Sequence, residues 1–151
     1  MRLAVLKERL PGETRVAATP ETVKKLIALG HSIAIETGAG AGASLPDDLF
    51  TAAGATIAAN AAEAARSADL ILKVRKPTSE ELALLAKGQG VVALLDPYAD
   101  KAGLDALAEK GVVALAMEFV PRITRAQSMD ALSSQSNLAG YRAVIEAAEL
   151  F

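Results

Sequence analysis

The sequence contains no cysteine, which removes disulfide frameworks and thiolate chemistry. It has one histidine, His31. Without a second histidine or any cysteine, neither a metal site nor a nucleophile–base pair assembles convincingly. Aromatic residues make up 3% of the chain, so a core must be built from Ala, Leu, Val and Ile. Neither sign of charge dominates: the net charge is −2 and the pI about 5.5. No Lys/Arg stripe is present, which argues against a nucleic-acid partner. No apolar run approaches the ~20 residues that cross a bilayer. The opening, Met1-Arg2-Leu3-Ala4-Val5-Leu6-Lys7-Glu8, becomes charged too early for a signal peptide. These absences are compatible with a cytoplasmic setting.

What is present is a chain of 151 residues, 52% of them hydrophobic, enough for one domain with its own core. Short, nearly continuous apolar runs predict strands over Leu3–Leu6, Ser32–Glu36, Leu70–Val74, Val91–Leu95 and Val112–Glu118, with a further short run at Thr56–Ala58. Runs of that kind suit parallel strands covered on both faces. Helix signals fall between them. Thr19 caps a helix opening at Pro20 and stopped by Gly30. Thr78 with Glu81 reads as a capping box for a helix to about Lys87. Asp100 caps a helix through Lys110, with Gly111 after it; Asp47–Ala53 and Asn60–Ser67 are shorter candidates. A last helix, from about Asp130 to Phe151, puts Leu138, Tyr141, Ile145 and Ala148 on one stripe. Alternating strands and helices specify an α/β fold, a parallel-sheet Rossmann-like (flavodoxin-like) single domain ending in a long helix. That helix has no Gly or Pro stop, so the chain reads either as a fragment or as one whose end packs on something else.

Gly38-Ala39-Gly40-Ala41-Gly42 falls short of a dinucleotide fingerprint: its third Gly comes one position early, and Ser44-Leu45-Pro46 interrupt any long helix. A flexible turn is the expectation. Lys7, Arg15, Lys73, Arg75 and Lys76 fall at or after strand ends, where α/β sheets collect ligands. They suit a carboxylate or phosphate, or simply a solvated sheet edge. His31 follows a helix-stopping Gly and reads as structural, and Asp96-Pro97-Tyr98 reads as a turn. The segment after Pro121 is the richest in donors and acceptors. Arg122, Gln127, Asp130 and Ser133 suit an amide-and-ribose ligand, or else Asp130 or Ser128 caps the last helix while Arg122 and Gln127 are solvated.

Several motifs carry a resemblance: Lys7-Glu8, Pro11-Gly12-Glu13, Arg15-Val16-Ala17, Gly38-Ala39-Gly40, Leu72-Lys73-Val74-Arg75-Lys76-Pro77, and above all Pro121-Arg122-Ile123 through Ala126-Gln127-Ser128-Met129-Asp130 to Ser136-Asn137-Leu138-Ala139-Gly140-Tyr141. With them the whole chain, residues 1–151, resembles the alanine dehydrogenase/transhydrogenase N-terminal domain family, on the branch of the alpha subunit of proton-translocating NAD(P) transhydrogenases. The resemblance implies an Arg-Gln-Asp triad at Arg122, Gln127 and Asp130. Arg122, Asp130 and Ser133 would hold the nicotinamide of NAD(H), and Gln127 would face an NADP(H) site on a separate domain or subunit. No residue is needed as acid or base. Alanine dehydrogenases carry a lysine where this chain has Arg75, and a histidine where it has Asp96, while Arg15 is common to both branches; an alanine dehydrogenase-like activity is the alternative. A stand-alone, non-catalytic α/β binding or assembly module is another.

The resemblance further implies what this stretch lacks. A second, NAD-binding Rossmann domain is absent, so the fragment alone is expected to be inactive and to bind NAD(H) weakly. Implied partners are that domain, the membrane-spanning and NADP(H)-binding transhydrogenase domains, and a second copy in a homodimer. The implied location is cytoplasmic, peripheral to the cytoplasmic membrane.

Overall fold

Strand β1 (Arg2–Val5) lies inside a parallel sheet, flanked by β2 (Ser32–Glu36) and β4 (Leu70–Arg75). The computed structural model describes residues 1–150. With β3 (Thr56–Ala58), β5 (Gly90–Leu94) and β6 (Val113–Ala116), the six-stranded order is β3-β2-β1-β4-β5-β6. This is the Rossmann order; a flavodoxin-like sheet would run 2-1-3-4-5. The direction of winding reverses between β1 and β4, opening a crevice beyond their carboxyl ends.

Alternate residues of β1 serve two cores. Leu3 and Val5 join Val23, Ile33, Ile35 and Phe50 under α1 (Pro20–Ala28) and α2 (Asp47–Ala52). Ala4 and Leu6 join Ile71, Val91, Ala93 and Leu107 under α3 (Ala61–Arg66), α4 (Ser79–Leu84) and α5 (Lys101–Glu109). The expected caps are local: Thr19 accepts from Thr22 N and Asp100 from Gly103 N, and Asn60, placed inside a short helix by the sequence, caps it instead by accepting from Glu63 N. Thr78 and Glu81 complete a reciprocal capping box.

Two elements end more than one residue earlier than their sequence suggests. Helix α4 stops at Leu84 rather than near Lys87, because Leu85 turns extended and enters the core. The Gln89 side chain holds that turn, accepting from Ala86 N and donating to Ala65 O and Ala68 O. Strand β6 stops at Ala116, and Met117–Phe119 form a 3-10 turn. The turn aims the Glu118 carboxylate at Leu95 N and Asp96 N, capping the end of β5. The last helix, α6 (Ala131–Leu150), packs no residue into either core. Its expected stripe is exposed, with Tyr141 at 70%, and Val113 and Leu115 on β6 are uncovered as well. Phe151, placed in this helix by the sequence, lies outside the described residues.

Candidate functional site

The chain leaving β1 is stitched to three other elements by enclosed charges. Glu36, at the end of β2, accepts from Lys7 N and pairs with Arg9. The Glu8 carboxylate accepts from Val74 N and Arg75 N, and burial pushes its pKa up. Lys73 puts its ammonium 3.0 Å from Glu81 Oε1, 3.6 Å from Glu8 Oε2 and 3.1 Å from Lys7 O. Carboxylates and cations confined this way satisfy one another at the cost of desolvation. Lys73 therefore offers no free charge to a ligand, contrary to one reading of its position.

Of the other expected cations, Lys76, Arg15 and Arg75 are also engaged. Lys76 pairs with Asp100. Glu13 receives Arg15 Nε at 2.7 Å, Arg15 Nη2 at 2.6 Å and Arg75 Nε at 3.2 Å. The Arg15 hydrogen bonds first, and the two guanidinium charges with them, hold the Glu13 carboxyl down to about 2. A crevice of about 550 Å³ at the winding reversal is lined by Glu8, Arg9, Arg75, Lys76 and Asp96. Among the described residues the Lys7 ammonium makes no ion pair, and its side chain is exposed. An anion entering here meets guanidiniums already matched by a carboxylate. Glu13 was not singled out as a site residue from the sequence; the Glu13-x-Arg15 spacing was the available signal.

The segment beyond Phe119 crosses to the head of α6 through a 3-10 turn, Thr124–Met129, anchored by buried Ala126. Asp130 is buried and caps α6, accepting from Ser133 N at 3.1 Å and Ser133 Oγ at 2.5 Å. These bonds first, and the Arg122 charge less strongly, lower the Asp130 pKa. The structure thus joins Asp130 to Ser133 and brings Arg122 within electrostatic reach. Gln127 is exposed and shares only a backbone contact with them, its carbonyl accepting from Asp130 N. The capping reading of Asp130 is realised without excluding a ligand, since a carboxylate has about four lone-pair positions.

The remaining candidates are structural. His31 lies 3.5 Å from the N-terminal amine through Nδ1. The glycine run forms a tight turn: Gly38 N donates to Asp47, and a Cβ on Gly40 would clash with Leu45 O. It opens a single 3-10 turn, Ala41–Ala43, with Ala39 and Gly40 buried and the 3-10 turn itself exposed. Asp96 adopts φ 54°, and its carbonyl accepts from Ala99 N and Asp100 N, as a turn residue. Among the described residues no His/Asp/Glu group is arranged to hold a metal, and no helix is long and apolar enough to cross a membrane.

Comparison with known proteins fixes the relationships. The chain is 44% identical to NAD(P) transhydrogenase subunit alpha of Cereibacter sphaeroides, over all of its own length and 29% of that relative's. Alanine dehydrogenase 1 of Staphylococcus aureus (strain bovine RF122 / ET3-1) is 35% identical, across 96% of this chain and 38% of the relative. A crystal structure of transhydrogenase from Sinorhizobium meliloti superposes with a TM-score of 0.94 at 48% identity, covering 99% of this chain and 44% of that one. The chain thus spans less than half the length of these relatives. Residues 4–139 match the family described as alanine dehydrogenase/PNT, N-terminal domain, and the chain belongs to that family.

Proposed function

We propose that this chain is the N-terminal portion of the NAD(H)-binding subunit of a proton-translocating NAD(P) transhydrogenase. The observation that carries the reading is the preorganised Asp130–Ser133 pair at the head of α6, with Arg122 near it. The set fits a nicotinamide carboxamide: Asp130 can accept from its NH2, and Arg122 can donate to its carbonyl oxygen. The greater similarity to a transhydrogenase subunit than to an alanine dehydrogenase supports the same branch. So does the chemistry of the crevice, where Arg75 and Asp96 stand at the positions that the resemblance gives to a lysine and a histidine. Glu13 already satisfies Arg15 and Arg75, which disfavours a 2-oxo acid there.

In this reading hydride passes directly from C4 of NADH to C4 of NADP⁺ held by a facing domain. Arg122, Asp130 and Ser133 fix the first nicotinamide, and Gln127, exposed on the loop, meets the second site. The work asked of these side chains is positioning and exclusion of water, not proton transfer. A Rossmann domain, membrane-spanning and NADP(H)-binding domains, and a second copy complete the assembly, at the cytoplasmic face of the membrane. The uncovered apolar side chains of β6 and α6 suit burial in such an assembly. An NADH titration followed by fluorescence tests the reading. In the full-length encoded chain, saturable binding should be weakened by Asp130→Ala; undiminished affinity in that variant would sink it. Residues 1–151 by themselves should bind weakly or not at all.

A further inference from the structure

Helix α6 carries Ser133 and its capping Asp130, yet buries none of its own residues. Among the described residues one side-chain hydrogen bond joins it to the rest of the domain: Arg15 Nη1 donates to Gln135 Oε1 at 3.2 Å. The guanidinium making that bond is not free to swing. Glu13 holds it at Nε and Nη2, and Arg75, at the end of β4, donates to the same carboxylate. A continuous chain therefore runs from the sheet through Arg75, Glu13 and Arg15 to Gln135.

Gln135 lies two residues beyond Ser133, which at 3.6 residues per turn places the two about 200° apart around the helix. Holding Gln135 against Arg15 turns Ser133 away from the Arg15 loop and sets the rotational phase of the first turns of α6. We propose that Glu13, Arg15 and Gln135 are positioning residues, a relay that orients the Asp130–Ser133 pair from the carboxyl end of β4. Its consequence for nucleotide binding rests on the NAD(H) reading above; its structural consequence does not.

The test uses the full-length encoded chain and two readouts. Amide hydrogen exchange across residues 130–136 is measured without nucleotide, and NADH affinity by fluorescence titration. Gln135→Ala should speed exchange and weaken NADH about two- to tenfold, the range for one lost hydrogen bond. Gln135→Glu, which still offers Arg15 an acceptor, should restore both. In an Arg15→Ala background, Gln135→Ala should add nothing, because the partner is already gone. Gln135 is exposed, so its replacement leaves the core intact. Unchanged exchange in Gln135→Ala overturns the relay, as does an equal further loss in the Arg15→Ala background. Asp130→Ala is run in parallel: unchanged NADH affinity there removes the NAD(H) reading, while the exchange data still judge the relay.

Discussion

Lys73 and Glu81 form an ion pair, Nζ to Oε1 at 3.0 Å, with side chains 1% and 4% exposed. The pair ties β4 to α4, and the same ammonium reaches Glu8 on the chain leaving β1. Removing the cation leaves the enclosed Glu8 carboxylate without an ion-pair partner, and Glu81 with Arg9 Nε at 3.8 Å. Lys73→Met should destabilise the domain by roughly 3–5 kcal/mol, the usual cost of orphaning a buried charge. Urea unfolding of variant and parent measures it; a difference below about 1 kcal/mol would show that water reaches the pair.

Gln89 is a polar residue that acts as a clamp. It joins the end of α4 to Ala65 and Ala68, either side of the end of α3, through three backbone groups. Gln89→Leu keeps the volume but takes this partner from Ala86 N and Ala68 O, each at roughly 1–3 kcal/mol, while Ala65 O still accepts from Ala68 N. A loss of at least about 2 kcal/mol is expected by chemical denaturation. Gln89→Glu should cost at least as much: its carboxylate still accepts from Ala86 N but sets a buried acceptor against Ala65 O and Ala68 O.

How much of this was legible in the sequence depends on the reach of the interaction. Strands β2 and β3 have the bounds their apolar runs suggest, and the caps at Thr19, Thr78 and Asp100 form as written, because each involves residues three apart. The endings of α4 and β6 were not legible: they are set by Gln89 reaching α3 and Glu118 reaching β5. Lys73, Arg75 and Lys76 were legible as charges but not as ion pairs with Glu8, Glu13 and Asp100, which come from positions distant in the chain; the Arg15–Glu13 pair, two residues apart, was within local reach. Lys73 and Glu8 are 65 residues apart in sequence and meet only when β1 and β4 pair. At the candidate site, Asp130 as a cap was readable from its place before the last helix. The link from Gln135 to Arg15, across 120 residues, was not.

Gly40 marks a position where the absence of a side chain is required. A Cβ there would clash with Leu45 O and lie 2.6 Å from Phe50 Cε2, and Phe50 is fully buried. Gly40→Ala must displace the 38–45 turn or the ring, at a cost of roughly 1–3 kcal/mol. Thermal unfolding of Gly40→Ala beside Gly140→Ala gives an internal contrast. Gly140, in mid-helix with nothing within 4 Å, should gain slightly from the change.

The Glu13 cluster sets an acid limit on the relay. Its carboxyl is held at about 2, from an ordinary value of 4.5, by Arg15 hydrogen bonds above all. A depressed folded pKa contributes stability that is fully present above the unfolded value and is lost as pH falls through the folded one. The window is therefore about pH 4.5 down to about 2, and above it the Arg15–Glu13–Arg75 contacts should not vary with pH. The Glu13 carboxyl shift, followed by NMR, should titrate near 2. Glu13→Gln should remove the charge dependence, so that its stability deficit against the parent is constant above about pH 5 and shrinks toward about pH 2. A Glu13 midpoint near 4.5 would mean that the guanidiniums do not hold the carboxylate in solution, and the relay to Gln135 would lose its anchor.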